Sequence, residues 1–172
     1  MMIEIMPLGE VENQVLEYLM GNLPAVFGAQ LLRAETVAIP EKAFNFSRNQ
    51  YHASVIIQSL FEAKRPPGSL TLAVIDKDLY VPELNFVFGQ ADRLHNIGVI
   101  SITRLRQSYY GLPEDENIFL RRVLKEAVHE LGHLLNLGHC PNPRCVMHFS
   151  NSLRDTDRKD SRFCGLCQKR LS

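Results

Sequence analysis

The sequence predicts an α/β domain with a mixed, mostly parallel sheet, one long helix and a loop-rich C-terminal tail. Segments with strand and helix patterns alternate through the first half of the chain, and three strand-like runs then precede one long amphipathic helix. After Gly138 the sequence changes to prolines, cysteines and charged residues, which predicts a tail with little regular structure. The chain has 172 residues, the length of a single domain, which we expect to span residues 1–172.

The first half contains two strands and two helices by these patterns. Val11, Val15 and Leu19 recur at helical spacing in the first helix. Pro40 ends the second strand, and the run Pro66-Pro67-Gly68 ends the second helix. The predicted elements are a strand over residues 2–7, a helix over 10–23 that ends before Pro24, a strand over 30–39 and a helix over 47–64.

The second half contains the strongest helix pattern of the chain. Apolar residues keep a period of 3.6 residues from about residue 117 to residue 137. Acidic residues at 114–116 lie where the positive end of the helix dipole favours them. Three strand-like runs precede this helix, over residues 70–75, 84–90 and 97–103. We expect most of the sheet to be parallel, with one strand antiparallel.

The composition does not indicate a nucleic-acid or a lipid partner. Lys plus Arg equals Asp plus Glu at 19 each, so no net field would attract either polyanion. Residues 1–7 lack the basic start and long apolar run of a signal peptide, and no apolar stretch has the length of a membrane span. We therefore expect a cytoplasmic protein without nucleic-acid or membrane partners, monomeric by default.

The long helix carries the sequence His129-Glu130-Leu131-Gly132-His133. Histidines four residues apart project from one helix face, so both imidazoles can reach one metal ion. Glu130 lies beside the first histidine and can face a metal-bound water without ligating the ion. Such a glutamate would act as the general base of zinc-dependent peptide hydrolysis. The five-residue pattern also occurs by chance on helices, so a third ligand is needed to make it specific.

His139 supplies that third ligand, six residues after His133. A helix cannot place residues i and i+6 on one face, so the chain must leave the helix and fold back toward the metal. Asn136 and Gly138 are residue types that tolerate the positive φ that such a turn needs. Three histidines complete the protein ligands of a catalytic zinc site and leave one position open for water. His148 is therefore expected to be an ordinary histidine rather than a fourth ligand.

Four cysteines in the last quarter of the chain form a second candidate metal site. Their spacing is Cys140-x4-Cys145-x18-Cys164-x2-Cys167. In a reducing compartment such a cluster indicates zinc, and four thiolates make a closed tetrahedral site that stabilises but does not catalyse. Two disulfides are the alternative, and they would require an exported protein. The tail has few large apolar residues, so zinc would supply the stability that burial cannot.

The order of these motifs resembles that of the metzincin zinc peptidases and, more closely, that of the archaemetzincins. In that family the third histidine is followed at once by Cys, then by Cys-x-Met and then by Cys-x-x-Cys. Here the run reads His139-Cys140, Cys145-Val146-Met147 and Cys164-Gly165-Leu166-Cys167. The resemblance is specific over residues 129–167, where two metal motifs interleave. Asn136 departs from the family's usual Gly, at a turn position where Asn costs little.

The resemblance implies a metzincin-like fold and a zinc-dependent peptidase. Together with the cysteine spacing, it predicts two zinc ions per chain, one catalytic and one structural. Met147 would be the Met-turn residue beneath the three histidines, although its pattern also fits an ordinary core methionine. The substrate of the family is ill-defined and some members are linked to aminopeptidase activity, so we expect a peptide or protein substrate. No Tyr follows Met147, so the oxyanion-binding tyrosine of some other metzincins has no counterpart there.

In metzincins the substrate lies along an edge strand, which the run Phe86-Val87-Phe88-Gly89-Gln90-Ala91 resembles, and Phe88, Gly89, Gln90 and Ala91 are the candidate substrate residues within it. Gly89 and Ala91 would let a substrate backbone approach closely and add itself to the sheet by backbone hydrogen bonds. A buried strand without any substrate role explains the same run equally well.

A non-catalytic zinc-binding module is the alternative function. Basic residues near the cysteines, among them Arg158 and Lys169, would suit a protein or nucleic-acid partner, but nearby aspartates neutralise this stretch. A binding module would also have no need of Glu130. The sequence therefore favours the peptidase.

Overall fold

The computed structural model describes residues 1–63 and 68–171, which are arranged around a five-stranded sheet. Within these residues the strands and helices are, in chain order, β1 (Met2–Leu8), α1 (Asn13–Phe27), β2 (Gln30–Arg33), β3 (Phe44–Asn45), β4 (Gln50–His52), α2 (Ala53–Glu62), β5 (Ser69–Ile75), β6 (Leu79–Tyr80), β7 (Gly89–Asp92), β8 (Ile97–Ser101), α3 (Glu116–Leu134), α4 (Leu153–Arg158) and α5 (Gly165–Leu171). They form a single compact α/β domain, as the sequence predicts.

The strand order of the large sheet is β2-β1-β5-β8-β7. The first four strands are parallel, whereas β7 runs antiparallel to β8 at one edge, with Gly89 opposite Ile100 and Asp92 opposite Ile97. Every residue of β5 is buried, as expected for the central strand of a sheet that is covered on both faces. The predicted mixed, mostly parallel sheet is therefore confirmed.

The sheet contributes to two separate cores because successive side chains of a strand point to opposite faces. On β5, Leu72 and Val74 belong to the core beneath α1 and α3, whereas Ala73 and Ile75 pack with α2 on the other face. Helix α3 lies across β5, β8 and the edge strand β7. This packing places the C-terminal half of α3 beside the sheet edge, where the candidate functional residues lie.

The helix predicted over residues 47–64 is shorter in the structure and begins at Ala53. The residues before it form β3 and β4, which make a second, three-stranded sheet with β6 that the sequence did not predict. Asn49 has a φ of 52° in the turn between β3 and β4. Asn tolerates this left-handed conformation better than most residues, so a reversal here overrides the helical pattern. The predicted helix end, Lys64 with Pro66 and Pro67, lies outside the described residues.

Helix α1 and strand β2 also differ from their predicted bounds. The helix begins at Asn13 and continues through Pro24 to Phe27, although the pattern predicts an end at residue 23. A proline removes one backbone donor, but the carbonyl of Pro24 still accepts the N–H of Gly28 at 2.8 Å. Gly28 then ends the helix in the left-handed conformation. Strand β2 ends at Arg33 rather than at residue 39.

The edge strand is shorter than predicted, since it begins at Gly89 rather than at residue 84. Phe88 therefore precedes the strand instead of lying in it. The Arg48 side chain donates to the carbonyl of Leu84 at 2.8 Å and to that of Asn85 at 3.1 Å. These two carbonyls are satisfied by side chains and not by a neighbouring strand, so regular pairing is absent at Leu84 and Asn85, and Val87 makes only an isolated bridge with Leu79.

The long helix and the tail follow the prediction more closely. Asp115 caps the start of α3 by accepting the N–H of Ile118 at 2.9 Å. The helix ends at Leu134, three residues before the predicted end at residue 137. The tail contains the short helices α4 and α5, which its composition did not predict. Among the described residues, no helix is both long enough and apolar enough to span a membrane.

Candidate active site

Helix α3 presents His129, Glu130 and His133 toward β7 and β8. His129 and Glu130 are each 5% exposed, and His133 is half-buried. The Nε2 atoms of the two histidines lie only 3.0 Å apart. Two ring nitrogens at this separation face a common point, as the spacing of four residues predicts.

Hydrogen bonds at the other ring nitrogen fix the tautomer of both histidines. The Nδ1 atom of His129 lies 2.8 Å from the carbonyl oxygen of Val146, and that of His133 lies 2.8 Å from the carbonyl oxygen of Leu137. A carbonyl can only accept, so each Nδ1 carries the hydrogen and each Nε2 keeps its lone pair. Metal-ligating histidines are usually held in this way.

His139 reaches the same point because the chain leaves α3 in a tight turn. The N–H of Asn136 donates to the carbonyl of His133 at 3.0 Å, and Asn136 has a φ of 69°. The ring centroid of His139 lies 5.4 Å from that of His129 and 4.9 Å from that of His133. One ring nitrogen of each histidine lies within 4.8 Å of the other two. The predicted fold-back at Asn136 therefore brings the three imidazoles together.

The three imidazoles have the geometry and the charge state that a zinc ion requires. Tetrahedral zinc with Zn–N bonds of 2.0–2.1 Å places its nitrogens roughly 3.4 Å apart, close to the observed 3.0 Å between His129 and His133. Burial lowers the pKa of all three histidines, and that of His129 lies well below its usual value. The rings are therefore neutral near pH 7 and could hold a zinc ion with one open position.

Glu130 is enclosed between α3 and the edge strand. Without a bound cation, burial and the negative charge of Glu126 raise the pKa of Glu130 to about 8, and the positive charge of Lys159 opposes them. A Cβ atom at Gly89 would lie 2.6 Å from Glu130 Oε1 and 2.8 Å from the carbonyl oxygen of Val99. Only glycine therefore leaves room for this carboxylate beside the strand.

Met147 is fully buried and packs against Gly132 of α3, and its role as a Met-turn residue stays a prediction. A Cβ atom at Gly132 would overlap Met147 Sδ and would lie 3.1 Å from Cε1 of Phe163. Glycine at this position of the helix is therefore what allows α3 to pack directly on the methionine.

The segment after Met147 holds the chain beside His139. The carbonyl of Met147 accepts the N–H of Cys140 at 2.9 Å, and Nδ1 of His148 donates to the carbonyl of Cys140, also at 2.9 Å. His148 does not join the group of three histidines that could hold a metal. Its ring is hydrogen-bonded to the chain beside His139 instead, and its exclusion from the metal site stays a prediction.

The four cysteines form a second cluster that could hold one metal ion. Their Sγ atoms lie within 4.8 Å of one another, and those of Cys140 and Cys164 are 3.8 Å apart. Zinc with Zn–S bonds of about 2.3 Å also places its sulfurs roughly 3.8 Å apart. All four thiols are free, so the structure contains neither of the two alternative disulfides. A backbone N–H lowers the pKa of Cys164 to about 7, whereas burial raises the pKa of Cys145 and Cys167.

A cleft of about 660 Å³ opens over Glu130 between α3, β7 and the loop before β7. Phe86 and Phe149 contribute apolar walls, and the ring of Phe149 lies 5.1 Å from that of His139. No tyrosine is among the described residues that line the cleft. All four residues of the predicted substrate run lie along it: Phe88, Gly89, Gln90 and Ala91.

Sequence reasoning did not assign three residues to this site, although Lys159 counts among the basic residues near the cysteines. Glu126 lies one turn before Glu130 and lines the cleft, and a search of the same helix face would have indicated it. Phe149 and Lys159 come from the tail, where no periodicity marks them. Lys159 is fully buried and its Nζ lies 3.1 Å from Glu126 Oε1.

A helix that offers two histidines one turn apart beside an open sheet edge is typical of the zinc metallopeptidases. Comparison with known proteins supports this class over nearly the whole chain, since residues 10–172 match Peptidase family M54. The archaemetzincin of Methanocaldococcus jannaschii is 43% identical over 171 residues, which cover 99% of this chain and 93% of that relative. The archaemetzincin of Pyrococcus furiosus is 40% identical over 99% of this chain and 92% of its own length.

Solved structures agree with the sequence comparison. The archaemetzincin of Archaeoglobus fulgidus, solved in complex with malonate, has a TM-score of 0.86 and 39% identity, covering 99% of each chain. A zinc-dependent peptidase from Methanocorpusculum labreanum has a TM-score of 0.90 and 30% identity, covering 99% of this chain and 100% of the other. The chain therefore belongs to peptidase family M54, the archaemetzincins. It is a zinc metallopeptidase, and its substrates are peptides.

Adding a methyl group at Gly89 should displace Glu130. In Gly89→Ala the new Cβ meets the Glu130 carboxylate and a backbone carbonyl, so we expect the hydrolysis of a mixed peptide pool to slow by at least about tenfold with zinc content unchanged. Gly98→Ala is the matched control, because its Cβ would lie 3.5 Å from Glu130 Cβ, an ordinary contact. Equal activity of the two variants would contradict this account of Gly89.

The raised pKa of Glu130 predicts how the stability of the zinc-free protein depends on pH. The folded state holds the carboxyl proton up to about pH 8, whereas the unfolded chain releases it near pH 4.5. Between these values the folded state binds more protons, so the contribution of Glu130 to stability falls as the pH rises. Glu130→Gln cannot ionise and should therefore become progressively more stable than the wild type between pH 4.5 and pH 8. Denaturant unfolding of both zinc-free proteins measures this, and a pH-independent difference would contradict the shift.

Proposed function

We propose that the chain hydrolyses peptide bonds at the three-histidine site, with His129, His133 and His139 as zinc ligands and Glu130 as general base. The placement of Glu130 carries this proposal, because the carboxylate is buried, follows the first histidine and faces the cleft. Burying a carboxyl group without a dedicated partner disfavours its charged form, as the raised pKa of Glu130 indicates. A chemical role accounts for such a residue better than a structural one.

The residues of the chain divide the work of the reaction. When bound, the zinc ion supplies a Lewis acid that polarises the scissile carbonyl and acidifies water at its open position. Glu130 takes a proton from the attacking water and returns it to the leaving amine. The Nδ1 hydrogen bonds of His129 and His133 hold both rings in one orientation. The narrow space between α3 and Gly89 keeps the carboxylate from turning away.

Strand β7 would bind the substrate in extended conformation. Within the described residues it pairs only with β8, so its outer backbone groups are open to a peptide. All four of its residues are half-exposed, which a plain buried strand does not explain. Gln90 Nε2 donates to Ser54 Oγ at 2.9 Å and so ties the strand to α2. Phe88 is buried just before the strand and would form part of the cleft floor.

The remaining features of the function follow from composition and family resemblance. We propose a monomer that acts in the cytoplasm on peptide or protein substrates, without nucleic acid. Aminopeptidase action on an as yet undefined natural substrate stays a prediction from the family. A non-catalytic zinc module would leave the buried Glu130 without a role.

We also propose that Cys140, Cys145, Cys164 and Cys167 hold a structural zinc ion, giving two ions per chain. The four sulfurs lie close together, and the pKa of Cys164 is lowered while that of Cys167 is raised. Both observations support a bound cation, because thiols so near one another cannot all ionise without one. Cys140 directly follows His139, so this ion would also help to place the third histidine. Residues 139–172 would then form a zinc-held subregion attached to residues 1–138.

Removal of the general base should abolish hydrolysis without loss of metal. We expect Glu130→Gln to lower the rate of hydrolysis of an unbiased peptide pool by about 10²–10⁴-fold, with zinc content equal to that of the wild type. Product analysis by mass spectrometry and metal analysis on the same samples measure both effects. Equal hydrolysis by the two proteins would refute the mechanism.

Removal of one thiol should separate the two metal sites. Metal analysis should find two zinc ions in the wild type and one in Cys164→Ser, with weaker binding of the remaining ion in the variant because the chain beside His139 is loosened. One zinc ion in the wild type would contradict the two-site proposal. An unchanged affinity of the three-histidine site in the variant would contradict only the coupling between the sites.

A further inference from the structure

Lys159 is a buried cation that neither proposed metal site uses. Its side chain is 0% exposed, and its Nζ lies 3.1 Å from Glu126 Oε1 and 3.5 Å from the carbonyl oxygen of His148. A buried ammonium group is costly unless it is paired and hydrogen-bonded. Lys159 has both kinds of partner, and the two belong to different parts of the metal centre.

The first partner, Glu126, belongs to the helix that carries two of the histidines. It lies three residues before His129 and one turn before Glu130, and its side chain is 3% exposed. Its Oε1 also accepts the hydroxyl of Thr156 at 3.0 Å. The carboxylate is therefore held by two side chains, Thr156 on α4 and Lys159 directly after it.

Further contacts fix α4 on α3, away from the histidines. Arg122 donates to both carboxylate oxygens of Asp157, at 2.7 and 2.8 Å. Lys125 Nζ donates to the carbonyl of Thr156 at 3.0 Å. These bonds fix the backbone just before Lys159 relative to α3, so the position of the Lys159 ammonium group depends on that of α3.

The second partner, the carbonyl of His148, leads to the third histidine. Nδ1 of His148 donates to the carbonyl of Cys140, and the N–H of Cys140 donates to the carbonyl of Met147, both at 2.9 Å. Cys140 directly follows His139. A continuous series of hydrogen bonds therefore runs from α3 through Lys159 to the chain at His139, and none of its links uses a thiol.

We propose that Lys159 is a positioning residue of the metal centre, which fixes His139 relative to His129 and His133 by joining Glu126 to the carbonyl of His148. The inference rests on the proposed function, because it requires the three histidines to bind zinc. Lys159 would connect the chain at His139 to α3, whereas the zinc ion of the four cysteines would connect the same chain to the tail. Loss of either link loosens the same ligand.

The experiment measures zinc affinity at the histidine site by competition with a chelator, and a His133→Ala protein identifies which ion is released. Lys159→Met should lower this affinity by about tenfold or more, whereas the cysteine-bound ion should be retained. Lys125→Met is the matched control, since it removes a lysine of the same α3–α4 interface that donates to the carbonyls of Thr156 and Asp157 instead of that of His148. It should leave the zinc affinity of the histidines unchanged.

A second pair of variants separates positioning from simple packing. Lys159→Met alone leaves Glu126 buried without its cation, but Glu126→Gln/Lys159→Met removes that charge and keeps the bond from Thr156. We expect the double variant to recover thermal stability but not zinc affinity. Recovery of both would show that Lys159 acts only on packing and would overturn the proposal.

His148→Ala tests the second half of the series in a half-buried residue whose replacement leaves the core intact. It should weaken zinc binding at the histidines, and adding Lys159→Met should weaken it little further, because both changes break one series. Wild-type affinity in His148→Ala, or fully additive losses, would overturn the proposal. A wild-type protein without zinc at the histidines would refute the proposed function itself.

Discussion

The return of the chain after α3 is the constraint on which the metal centre depends. A straight helix presents residues four apart, such as His129 and His133, on one face. If the helix continued, it would carry His139, ten residues after His129, along the axis and away from that face. His139 can therefore meet His129 and His133 only if the helix stops and the chain reverses. Asn136 makes the reversal in the left-handed conformation, and His133 donates to the carbonyl of Leu137 within it. One proposed ligand thus helps to hold the turn that delivers the next proposed ligand.

The two glycines at the site act on opposite sides of α3. Gly132 lies in the helix and lets it rest on Met147, whereas Gly89 lies in the edge strand and lets Glu130 approach it. A side chain at Gly132 would push the helix away from Met147, whereas one at Gly89 would displace the Glu130 carboxylate. The position of Glu130 thus depends on the lack of a side chain at Gly89 and at Gly132 as much as on direct contacts.

Much of the site could be predicted from the sequence because its signals are local. The period of α3, the spacing of His129 and His133 and the spacing of the four cysteines each lie within a short run, and the structure brings these groups together. Features that depend on distant partners could not be predicted in this way. Arg48 binds the carbonyls of Leu84 and Asn85 in the run before β7, which lie 36 and 37 residues away. Lys159 forms its ion pair with Glu126 on α3, and no local pattern in the tail sequence predicts that pair.

The buried charges around the site connect the proposed general base with the proposed metal. Glu126 and Glu130 lie one turn apart on α3, and Lys159 forms an ion pair with Glu126, whereas its charge offsets the burial of Glu130 only in part. The second carboxylate responds to burial by keeping its proton to about pH 8. A divalent cation held by the neighbouring histidines favours the ionised form of Glu130, because an opposite charge within a few ångströms lowers the pKa of an acid. In the proposed mechanism, the chain holds Glu130 as a neutral acid while the site has no cation, and binding of a metal would convert it into the base that hydrolysis requires.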